Sequence, residues 1–246
     1  MLIGFVLLPI ADRSPVEPIW TAICTAFGLR PAPSQVTPEP PVRYASLVQW
    51  TPGEVAAVNG GDPRKGEFVA LNCAACHGDQ GVSQADWIPS LAGMVPDALV
   101  KQLADFRSGH RSWPVMNAIA GALSTDQIRD VGAYFASLRP AAQVAHPGLL
   151  AGDRGPRSAD PTVRLVYAGD PTRGIAPCAS CHGLNGLKLA APVLAGQHES
   201  YIVQQLSDFR SGIRHNDEGE QMRVVAAKLT DSEIKALAAF LSSGKR

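Results

Sequence analysis

The strongest constraint on this chain is that its sequence repeats. Five blocks in residues 59–140 recur in the same order in residues 163–246, and the spacing between matched blocks changes by only a few residues. The paired blocks are Gly61-Asp62-Pro63 with Gly169-Asp170-Pro171, Cys73–His77 with Cys178–His182, Leu91-Ala92-Gly93 with Leu194-Ala195-Gly196, Gln102–Gly109 with Gln205–Gly212, and Leu123–Ile128 with Leu229–Ile234. Blocks repeated at near-constant spacing indicate two domains of one fold.

Each repeat has the pattern of a small all-α domain. Asp62 and Asp170 each precede a proline, which predicts a capped helix start in both repeats. A middle helix over about 96–107 has apolar residues at helical spacing, as does its counterpart. The last helix opens with a capping-box pattern at Ser124 and at Thr230. No run of alternating apolar and polar residues indicates a sheet.

Proline-rich stretches indicate where the domains begin and end. Residues 30–41 contain five prolines, which is typical of an extended linker, and residues 140–161 are rich in proline, glycine and alanine. The predicted order is an irregular N-terminal arm or anchor, a first domain, a linker and a second domain. Their predicted limits are 1–58, 59–140, 141–162 and 163–246.

The N-terminal arm allows three interpretations. It has an apolar run at 1–11 and another at 18–29, but no positive charge precedes Leu2, as it would in a secretory signal. Neither run reaches the ~18 apolar residues of a membrane-spanning helix. An atypical signal or anchor, a chain whose true start lies upstream, and an ordinary apolar arm all stay open. Cys24, in the second run, is interpreted as a buried, unreactive thiol.

The motif Cys-x-x-Cys-His occurs once in each repeat. On a helix, Cys73, Cys76 and His77 are three and four residues apart and therefore share one face. Two thiols can form thioethers with the vinyl groups of one haem while the imidazole ligates its iron, and this motif is the attachment signature of c-type haem. The second motif consists of Cys178, Cys181 and His182. The sequence therefore predicts two covalently attached haem c groups.

Two other uses of paired cysteines suit the pattern less well. A zinc site from all four thiols would join pairs in separate repeats, roughly a hundred residues apart, whereas structural zinc sites keep their ligand pairs far closer. A redox-active dithiol needs no adjacent histidine. Haem attachment is the interpretation that uses all three side chains of each motif.

Matching the repeats assigns the sixth ligand of each iron. Met116 lies 39 residues after His77, and Met222 lies 40 residues after His182. Another methionine, Met94, is matched by a glutamine and is interpreted as a packing residue. Of the histidines outside the motifs, His110, His198 and His215 have no histidine at the matched position, and His146 lies in the predicted linker. Histidine–methionine ligation raises the reduction potential relative to two imidazoles and leaves no open position, which favours electron transfer.

Residues near each motif are candidates for supporting contacts. Pro89 and Pro192 precede the matched Leu-Ala-Gly blocks, and a backbone carbonyl there could accept the Nδ1–H of the iron-bound imidazole; a plain turn proline is the alternative. Four arginines recur as Arg-x-x-x-Arg and are candidates for binding haem propionates, with ordinary surface residues as the alternative. They are Arg107, Arg111, Arg210 and Arg214.

At these residues the sequence resembles class I c-type cytochromes, and the doubled pattern resembles the di-haem cytochrome c4 family. The resemblance covers about residues 59–246. It implies two helical domains packed about a pseudo-two-fold axis, and a periplasmic role passing single electrons from a membrane quinol-oxidising complex or a dehydrogenase to a terminal oxidase. By the same resemblance, Pro89 and Pro192 match the proline near the ligating histidine, and Met116 and Met222 match the axial methionines. The long arm departs from the family pattern.

The predicted function is electron transfer by a periplasmic di-haem protein without substrate chemistry of its own. The location follows from the cofactor, whose attachment takes place in an exported compartment. A net charge of zero, from 22 basic and 22 acidic residues, does not favour nucleic acid as a partner. The arm leaves membrane association open.

Two further hypotheses stay open. One is a cytochrome subunit of a larger dehydrogenase or oxidase, which the extra arm favours. The other is an enzyme, such as a di-haem peroxidase or a sulfur-compound oxidoreductase. An enzyme of this kind requires an open or displaceable sixth position on one iron, which the matched methionines disfavour.

Overall fold

The computed structural model describes residues 45–138, 158–183 and 188–243. Within these residues the protein is helical, and pairing of extended segments is limited to one bridge, between Asp170 and Ile175. The predicted all-α fold is confirmed. Most of the predicted arm, including Cys24, and most of the predicted linker lie outside the described residues. No helix in the described part of the chain is long and apolar enough to cross a membrane.

A first helix group comprises five helices. They are α1 (Pro52–Asn59), α2 (Pro63–His77), α3 (Pro96–Ser108), α4 (Pro114–Gly121) and α5 (Thr125–Ser137). Four of them begin at a proline, because its fixed φ and missing N–H suit the first helical position. The side chains of Thr51, Asp62 and Ser124 cap α1, α2 and α5 by accepting backbone N–H groups. The predicted capping box at Ser124 is present.

Helix α1 was not predicted, since its apolar residues do not line up on one face. Its only buried residue, Val58, packs with Val100 of α3 and Ile128 of α5. Glu54 accepts a hydrogen bond from Arg129 of α5 at 2.9 Å. The last residues assigned to the N-terminal arm therefore form part of the first helix group.

A second helix group repeats the plan of the first. It comprises α6 (Pro161–Ala168), α7 (Ala179–His182), α8 (Glu199–Ser211), α9 (Gln221–Ala227) and α10 (Asp231–Ser242). Helices α3 and α8 both end at a left-handed glycine, Gly109 with φ 78° and Gly212 with φ 77°. Thr230 and Glu233 form the second predicted capping box, at the start of α10.

The expected helix start at Asp170 is wrong. The Asp170 side chain accepts two backbone N–H groups within a tight turn and starts no helix. In the second repeat the capped helix start is instead at Asp160 and Pro161, where α6 begins. The second repeat has fewer residues ahead of its cysteines than the first, and Pro177 cannot occupy a helix interior without loss of a hydrogen bond. A short turn therefore replaces the long helix that carries the first motif.

Each helix group has its own apolar core. In the first group, α2 and α5 cross closely at Gly66, where a Cβ atom would lie 2.0 Å from the backbone oxygen of Asp130. Around this crossing the buried residues are Ala70, Leu99, Val131 and Phe135. In the second group they are Leu165, Val166, Ile175, Leu229, Ile234 and Leu237. The two motifs lie beside these cores, so packing determines where their side chains point.

Candidate haem sites

The first motif occupies the last turn of α2. His77 is buried, and its Nδ1 lies 2.8 Å from the carbonyl oxygen of Pro89. The contact expected of the proline carbonyl is therefore present. Since that carbonyl accepts a hydrogen bond from Nδ1–H, Nε2 carries the lone pair and is the atom available to ligate iron. Burial lowers the pKa of His77, which favours the neutral imidazole that a metal requires.

The second motif has the same contact on a much shorter helix. The His182 Nδ1 lies 2.8 Å from the carbonyl oxygen of Pro192. The His182 backbone N–H donates to the Cys178 carbonyl at 2.9 Å, so the motif keeps helical spacing although α7 is a single turn. An apolar cavity adjoins these residues and is lined by Val166, Tyr167, Leu194, Phe240 and Leu241 among others.

The cysteines fit haem attachment better than the alternatives. Cys73, Cys76, Cys178 and Cys181 form no disulfide bonds in the described part of the chain. Burial raises the pKa of Cys73 and of Cys178 to about 11, so neither is the low-pKa thiolate of a redox-active dithiol. In the described part of the chain, no group of three or more His, Cys, Asp or Glu residues could hold a metal ion. Two cysteines and an imidazole held by a proline carbonyl suit a haem at each motif.

The methionines assigned to the sixth positions lie on matched helices. Met116 is in the first turn of α4 and Met222 is in the first turn of α9. Both are half-buried, and each helix follows the middle helix of its group. Met94, in contrast, packs against the apolar core of the first group. The ligand roles of Met116 and Met222 stay predictions.

Two of the recurring arginines meet between the helix groups. Arg111 and Arg214 stack on Phe106 and Phe209, with guanidinium-to-ring distances of 4.6 and 4.4 Å. Both donate to the same two glutamine side chains, Gln102 and Gln205. Burial, and then the charge of Arg111, lowers the pKa of Arg214 to about 9. Two cations held this close suit an anionic neighbour, so propionate binding stays a prediction for this pair.

The other two arginines lie near the starts of the last helices. Arg107 donates to Thr125 of α5 at 3.2 Å, and Arg210 donates to Asp231 of α10 at 2.6 Å. These contacts tie each middle helix to the last helix of its own group. The sequence pattern did not distinguish this pair from the pair between the groups.

A buried ion pair beside the arginines was not anticipated. Asp105 of α3 is fully buried and binds Lys101 of the same helix. Its carboxylate also accepts from Ser46 and from Asn216, both at 2.6 Å. Burial lowers the pKa of Lys101, and the adjacent Asp105 carboxylate opposes that shift. The matched residues of the second repeat are Gln204 and Asp208, so the cluster is asymmetric.

The fold and the two sites define a c-type cytochrome with two covalently attached haems. A family model for cytochrome c matches residues 175–245. Cytochrome c4 of Pseudomonas aeruginosa is 35% identical over 185 residues, which cover 74% of this chain and 88% of that protein. The chain belongs to the cytochrome c4 family.

A solved structure and a second relative agree with this assignment. Reduced recombinant cytochrome c4 from Pseudomonas stutzeri superposes with a TM-score of 0.63 at 34% identity, covering 74% of this chain and 98% of that chain. A thiosulfate dehydrogenase electron acceptor of Stutzerimonas stutzeri is 37% identical over 178 residues, covering 71% and 80% of the two chains. The protein is therefore a di-haem electron carrier that works with redox partners.

Proposed function

We propose that this protein carries single electrons on the periplasmic side of a bacterial membrane. In this proposal its donor is a quinol-oxidising complex or a dehydrogenase, and its acceptor is a terminal oxidase. The observation that supports it most is the pair of motif histidines, each held by a proline carbonyl at 2.8 Å, with His77 buried and His182 partly buried. Rigid ligands keep the coordination sphere unchanged between two oxidation states, which electron transfer requires.

The proposed ligand set gives every motif residue a role. Cys73, Cys76, Cys178 and Cys181 would form the thioethers, His77 and His182 would ligate the irons, and Met116 and Met222 would complete the ligand set. Bound haem supplies the one-electron couple. The protein's own residues orient the imidazoles and exclude water, and the methionines close the sixth positions. We propose two domains close to the predicted limits of 59–140 and 163–246, with the first extended to include α1 and the second to include the start of α6. The part of the N-terminal arm before α1 is the candidate for membrane association.

A second candidate function is that of a dedicated acceptor or subunit of a dehydrogenase. One relative is named a thiosulfate dehydrogenase electron acceptor, at 37% identity. Isolation of the native protein distinguishes this role from that of a free carrier. A stoichiometric dehydrogenase subunit that stays bound through purification supports the dedicated role, and a cytochrome that purifies alone supports the free carrier.

Electron uptake from two defined donors tests the proposed function. Oxidised holoprotein is mixed either with quinol and a quinol-oxidising complex or with thiosulfate and a thiosulfate dehydrogenase, and haem reduction is followed optically. We expect uptake of two electrons per chain, against one for the variant C178S/C181S, which keeps only the first motif. Reduction by neither enzyme would contradict the proposed donors.

A further inference from the structure

Gln197 joins the second repeat to the first through two hydrogen bonds. It lies just before α8 and is 5% exposed. Its Oε1 accepts the backbone N–H of Ser90 at 2.8 Å, and its Nε2 donates to the carbonyl of Ser90 at 3.0 Å. The amide side chain therefore binds the backbone of Ser90 like a neighbouring β-strand, at a position 107 residues away in sequence.

The Ser90 N–H belongs to the peptide group that holds the first histidine. That peptide group joins Pro89 to Ser90, and its carbonyl oxygen is the atom that accepts from His77 Nδ1 at 2.8 Å. A peptide whose N–H donates to a good acceptor becomes more polarised, so its oxygen becomes a stronger acceptor. Gln197, the peptide and His77 therefore form one chain of hydrogen bonds.

Among the described residues of the second repeat, no side-chain amide binds the peptide group that holds His182 in this way. The position matched to Gln197 is Met94, which has no amide, and the position matched to Ser90 is Val193. Two further contacts from the second helix group reach the segment between His77 and Pro89. Ser200 donates to the carbonyl of Asp86, and His198 Nε2 lies 3.1 Å from the carbonyl of Ser83. The asymmetry places the extra polarising contact at the first histidine.

We propose that Gln197 is a positioning residue that lowers the reduction potential of the first haem. The inference rests on the proposed ligation of that haem by His77. A stronger acceptor on Nδ1–H makes the imidazole a more basic ligand, and a more basic ligand stabilises ferric iron over ferrous iron. Through this contact the second repeat adjusts the haem of the first, and the two haems differ in potential even though their motifs match.

The variant Q197M tests this role, because methionine is the residue that the other repeat has at the matched position. We expect both haems to stay low-spin while the first haem becomes easier to reduce. At a fixed potential its ratio of reduced to oxidised iron rises about three-fold, or about 30 mV at 59 mV per tenfold change. Potentiometric titration gives the two midpoints, and NMR of the hyperfine-shifted ring protons of His77 and His182 assigns them.

The matched control is S200A, which removes another contact between the helix groups but does not touch the Pro89–Ser90 peptide. We expect both midpoints to stay unchanged in S200A. The proposal is overturned if the Q197M variant shows no midpoint shift, or a shift confined to the second haem. It is also overturned if Q197M and S200A shift the midpoints equally. A wild-type spectrum in which His77 shows no hyperfine shift would instead contradict the proposed ligand set, and with it this inference.

Discussion

Replacing Met222 by alanine is expected to open the sixth coordination position of the second haem. The reduced protein should then bind carbon monoxide at one haem per chain, while the wild type binds none at neutral pH. The reduction potential of that haem should fall, because the methionine ligand favours the ferrous state. Since axial ligands vary haem potentials over about 0.8 V, a shift on the order of 100 mV or more is expected.

The variant M116A should have the same effect at the first haem, and the double variant should bind two carbon monoxide molecules. M94L is the matched control, since Met94 packs in the apolar core of the first group and a leucine of similar volume keeps that packing. Optical titration with carbon monoxide and potentiometry measure both effects. If the wild type binds carbon monoxide, the proposed closed coordination is contradicted. If M94L binds carbon monoxide and M116A does not, the assignment of Met116 as the ligand is contradicted.

Replacing Asp105 by asparagine is expected to destabilise the folded protein by about 3–5 kcal/mol. The substitution removes the negative charge and leaves the Lys101 ammonium buried without a counter-ion, the case in which breaking a buried pair is most costly. Asp105 also accepts from Ser46 and Asn216, so three segments of the chain loosen together. Denaturant unfolding of the holoprotein measures the free-energy change.

The control for this change is D208N, the matched position of the second repeat. Asp208 is half-buried and accepts from the Gln204 side chain at 2.7 Å, so we expect a loss of about 0.5 kcal/mol or less. The double variant K101Q/D105N has no charge at either position of the pair and should regain most of the stability. Equal losses in D105N and D208N would show that the buried charge pair is not the cause.

The stability of D105N should also rise with pH. Burial lowers the pKa of Lys101 below its usual 10.5, and removing the carboxylate lowers it further. Between the folded and unfolded pKa values, the unfolded chain binds more protons than the folded protein, so raising the pH favours folding. In the wild type the Asp105 carboxylate opposes the lowering of the Lys101 pKa. The stability of the wild type should therefore depend less on pH than that of D105N.

The chemistry of the haem sites was predictable because it is encoded in contiguous residues. Covalent attachment needs two thiols and an imidazole on one helical turn, and the repeat shows the requirement twice. The proline carbonyls that hold His77 and His182 were also anticipated, since they lie a few residues along the same chain. Local capping at Ser124 and Thr230 was predictable for the same reason.

The contacts between the helix groups were not predictable, because they depend on tertiary packing. Gln197 and Ser90 are 107 residues apart, and Asp105 and Asn216 are 111 residues apart. No local pattern distinguishes a glutamine that binds a distant backbone from one on the surface. The match between the repeats predicted a helix start at Asp170, and that prediction was wrong. The segment from Asp170 to the second motif is shorter than its counterpart and contains Pro177, so it forms a turn instead of a second long helix.

The measurement that tests this account most directly is a haem count combined with a spectrum. Protein from a host able to attach haem is examined oxidised and reduced, and a pyridine haemochrome gives haem per chain. We predict two covalently bound haems, both low-spin and both unaffected by carbon monoxide. A single haem per chain, or a high-spin spectrum that changes with carbon monoxide, would contradict a di-haem carrier with two closed irons.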